Sequence, residues 1–418
     1  MDAASLLQRF FLCEQSLVVS QAAWLAAIAS YDVKVGLPRV LWEDAVTAGA
    51  LRERVFELRY PSRLMERDAP SPLLELFDAA IDAPSAEALL LSLARVFKPA
   101  LLEAYRSYLA QADEIADGPT LRFLRVAVTE KEAQIALLET YVETMLAAAP
   151  DRRDEADAWS SALGRQVACL GGVMGEADDV LSATPLLPAR RPFQLAEVPA
   201  RDERFHRCRF YWPDIIVPDY PYGEGIRLQL RSAVSHFNEI WAVETGGAIL
   251  HAFAPRLGWE FIMDAARWTY DESRHCRMGY ERLRQWGFEA HEIPLGTYIY
   301  DSAHGQEPLV RLGMLFFFET KNIGKKNERI RAFTDYDDHV SRHDMDYDWA
   351  DETIHAHYGK RWLTSLLQSQ PDVTPDDIRR RCGGLVAQTV ASATAAERDD
   401  IDRVAEAMIA RAERLAQR

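Results

Sequence analysis

Two short segments of the chain carry the residue types that metal chemistry would use. Residues 271–275 and 351–355 both read Asp-Glu-x-x-His. On a helix, residues three apart lie on the same face, so the Glu and the His of each segment could reach a single point. Carboxylates can bridge two cations and neutralise their charge, whereas one imidazole per metal leaves coordination positions open for dioxygen. The candidate ligands from these two segments are Glu272, His275, Glu352 and His355.

Each segment also has a glutamate upstream at a matched distance. Glu319 follows a run of bulky apolar residues and precedes Glu352 by 33 residues (352 − 319). Glu239 precedes Glu272 by the same 33 residues (272 − 239), whereas Glu244 precedes it by 28 (272 − 244). Two antiparallel helices joined by a short turn would place equally spaced residues at similar depth, which favours Glu239. Glu244 stays an alternative ligand, because the small residues after it would leave room for a metal or a substrate.

Further acidic and aromatic side chains lie close to these candidate ligands. Asp271 and Asp351 could orient a ligand histidine, but each lies about 100° round the helix from its neighbouring Glu, so solvated or capping roles are equally open. Asp348 lies one turn before Glu352 and could accept a hydrogen bond from a ligand histidine, line a substrate channel or carry surface charge. For Trp268, core packing is favoured over electron relay.

The spacing of apolar residues predicts the elements that must hold these ligands. Apolar residues recur every three or four positions in four long blocks, which is typical of amphipathic helices. Strand signals are scarce, so the sequence predicts an all-α protein in which four helices form one bundle around the ligands. The four blocks are residues 228–253, 258–286, 307–333 and 338–369.

The rest of the chain predicts an additional helical domain, a connector and a helical tail. The connector is rich in proline, aromatic residues and glycine, and proline disfavours helix in the residue before it. The tail opens at Thr374 and Pro375, a capping residue followed by proline in the first turn, with an interruption expected at Gly383 and Gly384. The predicted domains are residues 1–183 (helical), 184–227 (connector), 228–370 (metal site) and 371–418 (helical tail).

Composition limits the classes of function. With 48 basic and 64 acidic residues the formal net charge is −16, which disfavours general nucleic-acid binding because an acidic surface repels phosphate. The five cysteines form no Cys-x-x-Cys pair, so neither a disulfide framework nor a thiolate zinc site is supported. Neither a membrane span nor a signal peptide is evident, and a cytoplasmic protein is expected. All ten histidines lie between residues 206 and 357, which places the chemistry in the second half.

A basic run follows Glu319 in the third predicted helix block. Two interpretations are open: a solvated helix face, which is favoured, and a binding site for an anionic substrate or redox partner. The residues of this run are Lys321, Lys325, Lys326, Arg329 and Arg331.

At the two Asp-Glu-x-x-His segments, the sequence resembles the ferritin-like superfamily of di-iron carboxylate proteins. The likeness covers residues 228–369 and is greatest to a bacterial ferritin-like branch of unknown function, in which two Glu five residues apart would match Glu239 and Glu244. It is more distant to tRNA-modifying di-iron hydroxylases and rubrerythrins. The resemblance implies a ferritin-like four-helix bundle in which two helices each give a Glu-x-x-His pair and two each give one Glu. The segment around Glu319 departs from that pattern.

The same resemblance raises the question of a second, degenerate bundle in the amino-terminal half. That bundle would have no histidine and would serve as a scaffold or a substrate wall rather than a second metal centre. Its candidate positions are Glu14, Glu53, Glu103 and Glu130.

Together these features predict an oxygen-dependent non-haem di-iron oxidoreductase, an oxygenase or oxidase acting on a small organic substrate. Two iron ions, or a manganese and iron pair, would be the cofactor, with dioxygen as co-substrate and an external electron donor possible. No nucleic acid or membrane partner is expected, and the chain would be a monomer or homodimer. The alternatives are an iron-binding or peroxide-scavenging ferritin-like protein and a non-enzymatic helical interaction module.

Overall fold

A computed structural model describes residues 2–65, 71–175, 192–221 and 223–416. The first part of the predicted connector, residues 184–191, lies outside the described residues. The prediction of an all-α protein is confirmed, because strand within the described ranges is limited to two residues in each of two short segments. These segments, β1 (His206–Arg207) and β2 (Pro294–Leu295), pair in parallel with His206 opposite Pro294.

The helices fall into an amino-terminal and a carboxyl-terminal series. The amino-terminal α-helices are α1 (Ala3–Trp24), α2 (Tyr31–Leu58), α3 (Pro72–Asp78), α4 (Ala86–Ser92), α5 (Lys98–Gln111), α6 (Gly118–Ala148) and α7 (Arg153–Cys169). The carboxyl-terminal ones are α8 (Pro213–Ile216), α9 (Ile226–Phe237), α10 (Ile240–Leu257), α11 (Trp259–Gln285), α12 (Tyr298–Asp301), α13 (Pro308–Asp335), α14 (His339–Leu366), α15 (Pro375–Ala391) and α16 (Ala395–Ala416). Short 3₁₀ turns lie at Leu25–Ala27, Ala79–Asp82, Pro150–Arg152, Ala290–Glu292 and Leu367–Ser369, and a π-helical turn lies at Leu93–Phe97.

The chain divides into two compact units. One comprises Met1–Trp24 with Arg39–Leu195, and the other comprises Leu25–Pro38 with Ala196–Arg418. The second unit therefore includes a segment from near the amino terminus, which holds the first two turns of α2. The apolar periodicity of the sequence did not predict that α2 contributes residues to both units, because the pattern is continuous along the helix.

The first unit is built around the apolar faces of its helices. Leu7, Phe10 and Leu17 on α1 are fully buried, as are Leu124 and Leu138 on α6. Their spacings of three, seven and fourteen residues keep each set on one face of its helix. Residues Ala3–Ala27 are apolar enough to cross a membrane, but 72% of their most apolar window is buried within the protein. Core helices commonly pass such a test of length and composition.

In the second unit, four helical elements contact one another in a closed ring. The element α9–α10 packs on α11, α11 on α14, α14 on α13, and α13 on α10. Two glycines permit close approach in this ring. A Cβ on Gly279 would lie 2.3 Å from the Phe237 backbone nitrogen, and a Cβ on Gly359 would lie 2.8 Å from the Phe316 ring. Larger residues at these positions would force the helices apart.

The first element of this ring is not one helix, contrary to the predicted block 228–253. The α-helix stops at Phe237 and restarts at Ile240, with Glu239 at the amino-terminal cap of α10. The Asn238 side chain donates to the Pro294 carbonyl and accepts from the Gly296 backbone nitrogen, at 2.9 and 2.7 Å. The break therefore attaches this element to the link between α11 and α13.

The carboxyl-terminal tail begins as its sequence predicts but continues further as a helix. Thr374 caps α15 and forms a reciprocal capping box with Asp377. The expected interruption at Gly383 and Gly384 is wrong, because α15 runs through both residues to Ala391. A Cβ on Gly383 would lie 3.1 Å from the Phe317 ring, so this glycine serves close packing against α13 rather than helix termination.

Candidate metal centre

Five of the predicted ligands, Glu239, Glu272, His275, Glu319 and His355, form two groups in the second unit that could hold metal, whereas Glu352 lines the same cavity as the other glutamates but belongs to no such group. Glu239 comes from the start of α10, and α13 contributes Glu319. Helices α11 and α14 each contribute a Glu-x-x-His pair. Glu239 has a side chain 16% exposed, whereas the other five residues are buried. The four carboxylates that line the cavity are those of Glu239, Glu272, Glu319 and Glu352.

The carboxylate of Glu272 lies between the two histidine rings. Its Oε1 atom is 3.0 Å from Nδ1 of His355, and its Oε2 atom is 3.6 Å from Nδ1 of His275. Glu319 approaches His355 Nδ1 at 3.7 Å, and Glu239 approaches His275 Nδ1 at 3.2 Å. Two groups of possible metal ligands result, Glu239–Glu272–His275 and Glu272–Glu319–His355, and they share Glu272. This is the arrangement expected of a carboxylate that bridges two cations.

The two aspartates that precede the candidate ligand glutamates lie beside the histidines of the opposite helix. Asp351 on α14 lies 3.2 Å from Nε2 of His275 on α11, and Asp271 on α11 lies 3.3 Å from Nε2 of His355 on α14. A carboxylate beside Nε2 favours the tautomer that donates from Nε2, so the Nδ1 lone pair of each ring faces the cluster. Arg274 contacts both aspartates and neutralises this outer pair.

A second layer of buried charge lies beside His275. His236 Nε2 is 3.0 Å from Asp348, and Lys326 contacts both Asp348 and Glu352, the latter at 2.7 Å. Together with Glu239, His236 and Asp348 form a third group of possible ligands. Lys326 is buried, so the interpretation of the basic run as a solvated face does not hold for this residue.

Sequence periodicity contained a signal for the inward position of Lys326. It follows Glu319 by seven residues (326 − 319), which returns a helix to nearly the same face. His236 likewise precedes Glu239 by three residues (239 − 236), although the helix break between them weakens that argument.

Trp268 supports the centre from α11. Its Nε1 atom donates to Glu319 at 3.0 Å, and its indole stacks on the His355 ring with centroids 5.3 Å apart. Packing and hydrogen bonding thus fix a ligand from each of two other helices. Tyr347 and Trp349, two aromatic residues shortly before Glu352, are not buried as Trp268 is, since they are 50% and 38% exposed.

The centre contains several buried polar atoms that make no hydrogen bond of acceptable geometry. Buried polar groups in proteins are nearly always paired, so a concentration of unpaired acceptors around one point calls for a ligand. A cation would satisfy them, and the donor set of carboxylates and imidazoles suits iron or manganese. The atoms are His275 Nδ1, His355 Nδ1, Glu239 Oε2, Glu272 Oε1, Asp348 Oδ1 and Glu352 Oε2.

Without a cation, protons must balance part of this charge. Burial and the nearby charge of Glu272 raise the pKa of Glu319 to about 7. Burial opposes protonation of His355, but the nearby carboxylates of Asp271, Glu272 and Glu319 outweigh it and hold the pKa of His355 well above its usual value. The Glu272 pKa lies below its ordinary value, because the two nearby histidines outweigh the effect of burial. Glu319 and His355, which would bind metal, therefore retain protons in its absence.

Glu244, the alternative ligand from the first element, lies in a different environment. Its carboxylate is buried and pairs with Lys34 at 2.5 Å and with Arg201 at 2.5 and 3.1 Å. Burial lowers the pKa of Lys34 to about 8 although Glu244 opposes that shift. Glu244 belongs to none of the three ligand groups, whereas Glu239 belongs to two.

The cavity above the carboxylates has a volume of roughly 630 Å³. This volume is in the range of small-molecule sites. Tyr211, Tyr298, Trp241, Phe317 and Phe318 contribute aromatic walls, and the basic residues of α13 line one side. Candidate ligand carboxylates and candidate substrate contacts therefore line the same cavity.

The first unit has its own buried charge cluster. Among the four suggested glutamates, Glu14 is buried and accepts from Lys131 at 2.9 Å, whereas Glu53 and Glu103 are exposed and Glu130 is half-buried. The other members of the cluster are Asp44, Lys98, Tyr105, Gln21 and Gln134. Two lysines neutralise its carboxylates, so it offers no set of unpaired acceptors comparable to the centre in the second unit.

Comparison with known proteins gives one match. Neither a curated protein nor a solved structure matches the chain significantly. Residues 189–393, which include every residue of the candidate metal centre, match a family described as a protein of unknown function, DUF455.

Proposed function

We propose that the second unit is a ferritin-like four-helix bundle that holds two iron ions and uses dioxygen to oxidise a small organic molecule. The observation that carries the proposal is the position of Glu272, whose two carboxylate oxygens each face the Nδ1 atom of a different buried histidine. Each histidine is oriented by an aspartate from the other's helix. Structural salt bridges need neither this shared carboxylate nor the unpaired acceptors around it.

Some residues of the chain would bind the metal ions, and others would position these ligands or line the cavity. Glu239 and His275 would hold one ion, Glu319 and His355 the other, and Glu272 would bridge them. Two iron ions held in this way would supply the binding and reduction of dioxygen. Lys326 holds Glu352 beside the centre, and the aromatic walls would exclude bulk water from the substrate. Electrons for the reduction of dioxygen would come from an external donor.

Anaerobic titration with iron(II), followed by exposure to oxygen, tests the proposal. We expect two iron ions per chain by metal analysis and a transient absorbance when oxygen is admitted. Oxygen consumption that depends on an added small molecule supports an oxidoreductase. Consumption of peroxide without such a molecule would favour the peroxide-scavenging alternative, and a chain that takes up no metal would contradict both.

The stabilisation that metal provides should increase from about pH 6 to about pH 8. Burial raises the pKa of Glu319 from 4.5 to about 7. The metal-free protein therefore loses stability as the pH rises from about 4.5 to about 7. The raised pKa of His355 acts in the same direction: its stabilising contribution is present below 6.5 and is lost as the pH rises through the folded-state value. Metal ions replace these protons, so the holoprotein avoids the loss.

Thermal melts of metal-free and metal-loaded protein measure this effect. The difference in Tm should grow with pH, and Glu319→Gln should flatten the pH dependence of the metal-free protein. A Tm difference that is constant across the range would contradict the assignment of these protonated groups to the metal site.

Two isosteric substitutions distinguish the candidate ligands of the first element. Glu239→Gln should weaken uptake of the ion shared with His275 by more than tenfold, because an amide oxygen is a poorer ligand than a carboxylate. Glu244→Gln should leave metal stoichiometry unchanged but lower the Tm, since it leaves Lys34 and Arg201 without their buried anion. Metal analysis and thermal melts of both variants provide the measurement. Loss of metal from the Glu244 variant alone would reverse the assignment.

A further inference from the structure

The cavity above the candidate centre has an unbalanced charge on one wall. Lys321 and Lys325 lie four residues apart on α13, so both ammonium groups project from one face of the helix. Both residues line the cavity whose floor is formed by the ligand carboxylates. A molecule bound in this cavity would therefore lie close to both cations.

Two other cations of the cavity are neutralised by the protein. Arg231 forms two hydrogen bonds to Asp214, at 2.9 and 3.0 Å, and Lys326 contacts Asp348 and Glu352. Lys321 and Lys325, by contrast, form no ion pair within the described parts of the chain, and Asp214, the carboxylate that acts on Lys321 from a greater distance, is bound by Arg231. In a chain with a formal net charge of −16, two neighbouring lysines without acidic partners constitute a local positive site.

Apolar surface lies directly beside these cations. The Lys321 ammonium is 5.5 Å from the centroid of the Phe317 ring and 5.8 Å from that of Phe318. Trp241 and Tyr298 continue the aromatic lining of the same cavity. A molecule with an anionic end and an apolar body would contact both kinds of surface at once.

We propose that the substrate is a small anionic molecule with an apolar body, and that Lys321 and Lys325 bind its carboxylate or phosphate. This inference rests on the proposed function, because the metal ions held by the carboxylates would determine which end of the substrate reacts. The lysines would orient the apolar part towards the floor, as charge-assisted hydrogen bonds fix the opposite end. They are positioning residues for binding and take no part in the oxidation itself.

Binding of simple probes tests the inference with the full chain, loaded anaerobically with iron(II). The probes are phenyl phosphate, 3-phenylpropanoate and the neutral 3-phenylpropanamide, titrated by calorimetry. We expect one or both anions to bind the parent protein and the amide to bind at least tenfold more weakly. The phosphate and carboxylate arms identify which anion the site prefers.

The double variant Lys321→Gln, Lys325→Gln should weaken anion binding by about tenfold or more without changing binding of the amide. Lys360→Gln is the matched control, since Lys360 is exposed on α14 and does not line the cavity. Anion affinity equal in the parent and the double variant overturns the inference, because the probe would then be held by the metal alone. Equal affinity for anion and amide overturns it as well.

Metal analysis of each sample separates this inference from the proposed function. A parent protein that holds two iron ions but shows no lysine-dependent anion binding overturns only the identity of the substrate. A parent protein that takes up no metal overturns the proposed function and, with it, the assignment of the bound anion as a substrate. The double variant should retain both iron ions, since neither lysine belongs to a ligand group.

Discussion

Replacing Glu272 with alanine should abolish binding of both metal ions, whereas Glu319→Ala should affect mainly one. Glu272 belongs to both ligand groups that include a histidine of an Asp-Glu-x-x-His segment, and its two oxygens face different histidines. Its loss would remove a ligand from each ion and leave their positive charges without a shared anion between them. We expect the iron content to fall from two ions to near zero in the first variant and to about one in the second.

Glu281→Ala is the matched control for this experiment. Glu281 lies on the same helix as Glu272, but it is exposed and pairs with Arg284 at the surface, so it should retain full metal content. Glu272→Gln keeps the side-chain shape and removes the bridging charge, and it should share the metal loss of the alanine variant. Thermal melts of the metal-free proteins show whether each variant is folded. A folded Glu272→Ala variant that binds as much iron as the parent would refute the proposed centre.

Helix periodicity and the chemistry of ligands were sufficient to bring most of the centre together. A Glu-x-x-His pair fixes its own geometry once the segment is helical, since three residues span almost one turn. Equal spacing in the two halves then selected Glu319 and favoured Glu239, and both carboxylates lie against the expected histidines. Sequence reasoning brings these side chains together because local helix geometry alone determines which of them share a face.

Features that depend on packing between helices were beyond that reasoning. Whether Asp271 faces solvent or a histidine depends on the angle at which α11 and α14 meet, and the answer is His355 on the other helix. The helix break before Glu239 depends on Asn238, whose partners Pro294 and Gly296 are distant in sequence. Propensity within one segment contains no information about such partners.

The basic run on α13 shows that composition alone does not reveal which side chains face the interior of the protein. Five cations in a short stretch are typical of a solvated face, yet one of them, Lys326, faces the centre. Burial opposes the charge on Lys326, but Asp348 and Glu352 outweigh it and hold its pKa above the usual value. The acidic partners lie on α14, so only the packed structure reveals why a lysine is tolerated there.

The buried cluster of the first unit depends on the same balance of charge. Lys131 contacts both Glu14 and Asp44, and Lys98 also contacts Asp44, at 2.6 Å. Burial lowers the pKa of Lys98 to about 8, although Asp44 opposes this shift. For Lys131, the two carboxylates outweigh burial and hold the pKa above its ordinary value. Lys131 is therefore the central cation of the cluster.

Substituting Lys131 with methionine should destabilise the protein by about 3–5 kcal/mol, because it leaves Glu14 and Asp44 buried with only one lysine between them. Urea unfolding measures the loss, and the exposed neighbour Glu132 provides a control, since Glu132→Gln should change stability by less than about 0.5 kcal/mol. Adding Glu14→Gln to the methionine variant should recover part of the stability, since one lysine then faces one carboxylate. If the double variant is as unstable as the sum of the two single variants, the carboxylates and the lysine are not coupled and the charge-balance account fails.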